Sequence, residues 1–148
     1  MNKKIKELIA QVNRQIRNND VIHASMDLRI LLEETVNTLF SAYPEGAETL
    51  FEKIEYLKEN DLISKEDADL FHTIRIHTNK AVHEYETDWR LRDLDEAFEQ
   101  LEYFIKEHLK SKKQKKKKQS NTLTVILVLL IIAAAVLLGI EIYLYLNK

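Results

Sequence analysis

The sequence has no cysteine, one proline and two glycines in 148 residues. The missing thiols exclude disulfides, thiolate metal sites and cysteine nucleophiles together, and they fit a reducing compartment. Two glycines are too few to build a phosphate-cradling loop, and neither a zinc motif nor a nucleophile elbow is present. So little glycine and proline argues against a turn-rich β fold, and no stretch alternates apolar and polar residues with a period of two. The first residues, MNKKIKELIAQVNRQIR, lack the apolar run of a signal peptide.

What is present is helical periodicity. Ile5, Leu8, Ile9, Val12 and Ile16 form one stripe, which predicts a first helix over Lys3–Asn18. Asn19-Asp20 offers an N-cap for a second helix over Val21–Ala42, with Leu28, Leu32, Val36 and Leu39 on one face. Pro44-Glu45-Gly46 is the strongest turn signal. A third helix, Ala47–Asn60, presents Leu50, Phe51, Ile54 and Leu57. Ser64, with Asp67 three residues on, resembles a capping box that opens a fourth helix running to about Val82. After an acidic connection at Glu84–Asp88, a fifth helix over Trp89–Leu109 carries Leu91, Leu94, Phe98, Leu101 and Ile105. The expected fold is an all-α, up-and-down bundle of about five helices over residues 1–109.

The formal net charge of −2 conceals an asymmetry. Residues 1–109 hold 14 Lys and Arg against 23 Asp and Glu, whereas Lys110–Lys118 holds seven lysines and no acid. That tract, with Lys112, Lys113, Lys115, Lys116, Lys117 and Lys118 at its centre, reads as a solvated linker over residues 110–121. Thr122–Ile140 then runs nineteen residues without a charge, and Ile142–Leu146 extends it past Glu141. About twenty apolar residues at a rise of about 1.5 Å cross a hydrocarbon core roughly 30 Å thick. The sequence therefore predicts one transmembrane helix over residues 122–146, the whole chain being a single-pass membrane protein. Lysines before the span, against Lys148 alone after it, place the N-terminal domain in the cytoplasm. The tract reads chiefly as a topology signal and spacer, and anionic lipid is its second possible role.

The residues with chemical potential sit on the fourth helix. His72, Arg75, Asn79 and His83 recur at intervals of three, four and four and so share a face, beside an apolar stripe of Phe71, Ile74, Ala81 and Val82. Arg29 and Glu33, one turn apart on the second helix, are the expected partners. Such a cluster is either a polar network tying two helices together or a site. As a site, His83 would act as base, Arg75 would stabilise anionic charge and Asn79 would assist, cleaving RNA without metal. The acidic balance of residues 1–109 weighs against RNA, whose binding draws on neutralised phosphates. The spacings of His72, His77 and His83 do not supply the pair one turn apart that a helical zinc site favours, so no metal and no cofactor is expected. Glu33-Glu34 and similar pairs read as solvated helix faces.

Thr78-Asn79-Lys-Ala-Val-His83-Glu-Tyr85 resembles the signature of HEPN domains, helical bundles of bacterial toxins, abortive-infection proteins and CRISPR-associated ribonucleases. Their pattern is Arg-Asn, three residues, His, one residue, Tyr. Asn79, His83 and Tyr85 match it; Thr78 stands where the signature has Arg, and Arg75 lies one turn earlier. Arg29…Glu33 followed by Arg75-Ile-His-Thr-Asn79-Lys-Ala-Val-His83 is similar to an uncharacterised HEPN-like domain often joined to type I restriction-enzyme subunits. The resemblance implies an interaction or sensing module, with a role in stress or phage defence, and homodimers that gather a basic cleft around Arg75. Metal-independent ribonuclease activity is the alternative it implies, and Tyr85 would be a modification site, adenylylated in some relatives. A third reading is a structural membrane protein assembled through its bundle or through Ala133–Ala135 and Gly139. An unidentified protein partner follows from the module reading.

Overall fold

The computed structural model describes residues 2–43 and 46–109. The lysine tract, the apolar run 122–146 and two residues of the expected Pro44–Gly46 turn lie outside them. Among the described residues there are five helices and no strand: α1 Lys3–Arg17, α2 Val21–Phe40, α3 Leu50–Glu59, α4 Lys65–Glu84 and α5 over 91–109. None of them is long and apolar enough to cross a membrane.

Local chemistry fixes the boundaries. Asn2 caps α1, its side chain accepting from the Lys4 amide, and the α1–α2 turn is made by Asn19 in the left-handed region at φ 55°. Asp20 caps α2 by accepting from the His23 amide. The third helix starts at Leu50, three residues after its expected start at Ala47. Thr49 and Glu52 form a reciprocal capping box, and the Glu52 carboxylate also takes the Glu48 amide, so Ala47–Thr49 are held out of the helix. The Ser64–Asp67 box does open α4. That helix runs to Glu84 and stops at Tyr85, which adopts the left-handed conformation at φ 57°. The last helix begins at residue 91, two residues after its expected start, because the Trp89 amide is satisfied by the Thr87 hydroxyl.

Residues 1–108 form a compact unit with a closed core of its own. Here α2 is central: α1 packs on one flank, α4 on the other, and α3 against both α2 and α4. Ile5 and Val12 of α1, Leu28, Leu32 and Val36 of α2, and Phe71 and Ile74 of α4 are wholly buried. So are Leu94, Leu101 and Ile105 of α5, and Phe104 meets Phe71 edge-on at 5.0 Å. Burying an aliphatic or aromatic side chain contributes about 1.5–3 kcal/mol, so this shared interior holds the bundle together.

Candidate functional site

The face of α4 that follows from the sequence spacing does exist, but its residues divide into two groups. The buried stripe of α4 is Ala68, Phe71, Ile74, Thr78 and Ala81; Val82, an expected member, is exposed. The polar row lies beside that stripe, and its first half is engaged by α3. The His72 Nε2–H donates to Glu55 Oε1 at 2.8 Å, and the His72 ring lies 5.2 Å from that of Phe51. The Arg75 guanidinium sits over the Phe51 ring at 5.4 Å, a cation–π contact. Lys58 and then His72 hold the Glu55 carboxyl below its ordinary range through hydrogen bonds.

Arg29 and Glu33 are where the sequence places them. The Arg29 Nε donates to Glu33 Oε1 at 2.7 Å, and its Nη1 donates to the Arg75 backbone carbonyl at 3.1 Å. One arginine therefore ties α2 to α4 through a backbone oxygen, leaving the Arg75 side chain free to lie on α3. Among the described residues the Arg75 Nε and the His72 Nδ1 are buried without a hydrogen-bond partner. An orphaned polar atom in the interior costs about 1–3 kcal/mol, so neither atom adds to stability.

The second half is different. Asn79 and His83 are exposed, and neither side chain forms a hydrogen bond among the described residues. Thr78, at the position of the signature Arg, is 0% exposed and its hydroxyl donates to the Ile74 carbonyl at 2.6 Å. It is part of the core and presents nothing to the surface. Arg29 thus links Glu33 to the Arg75 backbone, and Asn79 and His83 stand apart from them.

Tyr85 belongs to a constellation that the sequence does not display. Its hydroxyl is 2.8 Å from His23 Nε2, the rings meet edge-on at 5.6 Å, and His23 Nδ1 lies 2.7 Å from Asp20 Oδ2. With Nδ1–H given to the carboxylate, Nε2 accepts the phenol proton. The hydrogen bonds from His23 hold the Asp20 carboxyl below its ordinary value. A tyrosine in the left-handed region is strained by its Cβ, and the anchored ring is what holds it there. The Asp20–His23 spacing of three was visible in the sequence; a partner 62 residues away was not.

His77, on the opposite flank of α4, stacks on Trp89 at 5.2 Å and pairs with Asp88 at 3.3 Å, pinning the connection to α5. That hydrogen bond lowers the Asp88 carboxyl. Among the described residues no three His, Asp or Glu side chains converge as a metal ion would require. The buried carboxylate lies elsewhere: Asp27, between α1 and α2, accepts from Gln11 at 2.9 Å while its second oxygen has no partner, and burial pushes its carboxyl up.

A family model described as "Domain of unknown function (DUF4145)" matches residues 5–123. No curated protein and no solved structure matches the chain. The matched region takes in α2 to α5 and all of α1 but its first two residues.

Proposed function

The chain belongs to the DUF4145 family, and on that premise we propose that it is a HEPN-like interaction or sensing module, held on the cytoplasmic side of a membrane by a single C-terminal span. The observation that carries the module reading is the fate of the signature positions. The residue in place of the catalytic Arg is a buried threonine bonded to its own helix, and the nearest arginine is committed to Phe51. An enzyme that stabilises a phosphorane needs its cation and its base around one reacting atom. Here the cation lies two turns from His83 along α4.

The anchor rests on the uncharged run Thr122–Ile140, and the orientation on the lysines that precede it. A role in stress or phage defence rests on the resemblance alone. Ribonuclease activity is the second reading, favoured by one feature: Asn79 and His83 stand exposed one turn apart, open to a partner that could bring the missing cation.

Two measurements decide between these readings. Residues 1–109 with EDTA present are expected to leave a structured RNA intact, with His83→Ala indistinguishable from the parent. Cleavage that disappears in His83→Ala would replace the module with a ribonuclease. The full chain is expected to sediment with membranes and resist alkaline carbonate, and a chain ending at residue 121 to stay in the supernatant. Extraction of the full chain by carbonate would remove the anchor.

A further inference from the structure

On the flank of α4 away from the polar row, a groove runs between α4 and α5. It consists of two adjoining cavities of about 510 and 340 Å³ that share Glu66, Leu70, Glu96 and Gln100. Leu70, Ala97 and Phe104 give it an apolar floor, and Tyr103, 68% exposed, stands at its edge. Its walls are acidic. Glu66, Asp69, Glu96 and Glu99 line it together with Asp67 and Asp93, and no Lys or Arg does. Arg90 and Arg92 pair with Asp93, and Arg92 with Glu96, from outside the lining. Glu66, Asp69 and Glu99 have no cationic partner among the described residues.

We propose that this groove docks a lysine- or arginine-rich amphipathic segment of a partner protein. Its apolar side chains rest on Leu70 and Phe104, and its basic side chains reach the carboxylates on either wall. Charge complementarity selects this occupant. A phosphate backbone or an anionic lipid surface would be repelled by the walls. A bare metal ion lacks a converging ligand set. Length agrees as well: along α5 the lining spans residues 93–108, about 22 Å at the helical rise, room for a helix of about four turns. The proposal rests on the module reading and supplies the chemistry of its partner. It does not involve Arg75, Asn79 or His83.

The chain has a single tryptophan, and Trp89 lines one end of the groove, so its fluorescence reports occupancy. Residues 1–109, the unit with its own core, would be titrated with a peptide of about 18 residues carrying Lys and Leu at helical spacing and no aromatic residue. A saturable shift in Trp89 emission at physiological salt is expected. Glu66→Lys with Glu99→Lys should weaken binding at least tenfold, with circular dichroism confirming an intact fold. Glu7→Lys with Glu48→Lys, an equal charge change at two exposed positions outside the groove, should leave binding unchanged. Four outcomes overturn the proposal: no saturable shift, an equal loss with Glu7→Lys and Glu48→Lys, equal binding of a Glu/Leu peptide, or full saturation by spermine alone. RNA cleavage by the same unit would remove the module reading without touching this titration. Failed peptide binding alongside intact RNA would remove only the groove.

Discussion

His72 and Arg75 in the first half of α4, and Asn79 and His83 in the second, share one helix face at three-four spacing, yet only the first pair is held. The difference lies in a neighbour. α3 begins at Leu50, and its Phe51 reaches the Arg75 level of α4, so the short helix covers the first half and ends there. Beyond that level no described helix packs on the row, and Asn79 and His83 face outward. One helix face produces packing where a partner helix exists and a free surface where it does not. The capping box at Thr49, which delays the start of α3, therefore decides how much of the row stays open.

The sharpest way to break this comparison is to restore the signature cation. Thr78 lies between the two halves and is fully buried, so Thr78→Arg must force a guanidinium into the core or expel α4 from it. Burying an unpaired charge is among the few mechanisms that cost about 4 kcal/mol or more. Urea denaturation should show the domain largely unfolded or strongly destabilised. A loss under about 1 kcal/mol would mean that position 78 opens readily to the surface, and the ribonuclease reading would regain its missing cation.

The comparison sharpens with a paired substitution. Arg75→Ala removes the contact over Phe51 and uncovers apolar surface, and should lower stability by about 1–2 kcal/mol. His83→Ala, which removes no observed contact, should change it by less than about 0.5 kcal/mol. Equal losses from both, read as shifts of the urea midpoint at constant slope, would show that the second half of α4 is also engaged.

The fold was largely legible because apolar spacing and caps are local signals. Ile5, Leu8 and Val12, then Leu28, Leu32 and Val36, and the Ser64–Asp67 box all lie where their periods place them. Helix ends were less legible. Thr49 caps α3 so that it begins three residues beyond its expected start at Ala47, and Tyr85 ends α4 through a bond to a histidine in the first turn of α2. The site was legible as a face and not as a constellation. Spacing identifies residues that project together; of the two residues it singled out on α2, Arg29 reaches the Arg75 backbone carbonyl and Glu33 bonds only to Arg29. It says nothing of how far α3 extends, and that length separates Arg75 from His83. The stack of His77 on Trp89 and the Asp20–His23–Tyr85 chain depend on contacts across loops, which no period encodes.

The smallest effect concerns the other flank of α2, where the packing encloses a charge instead of an open row. Asp27 is 7% exposed, with Gln11 donating to one oxygen and no partner for the other. Desolvation raises its carboxyl above the ordinary 3.8, against the lowering effect of the hydrogen bond from Gln11. A carboxyl raised in the folded state holds its proton better there than in the unfolded chain. The group therefore opposes folding above its folded pKa, and the penalty fades as pH falls through that value toward 3.8. Asp27→Asn keeps an oxygen for Gln11 and removes the ionisation. Stability at pH 7 should rise by about 0.5–1 kcal/mol, with the gain shrinking as pH approaches 4. Urea midpoints measured across that range check the sign. A gain that stayed constant with pH would mean that the α1–α2 interface is hydrated around Asp27. It would then resemble the open half of α4 more than the enclosed one.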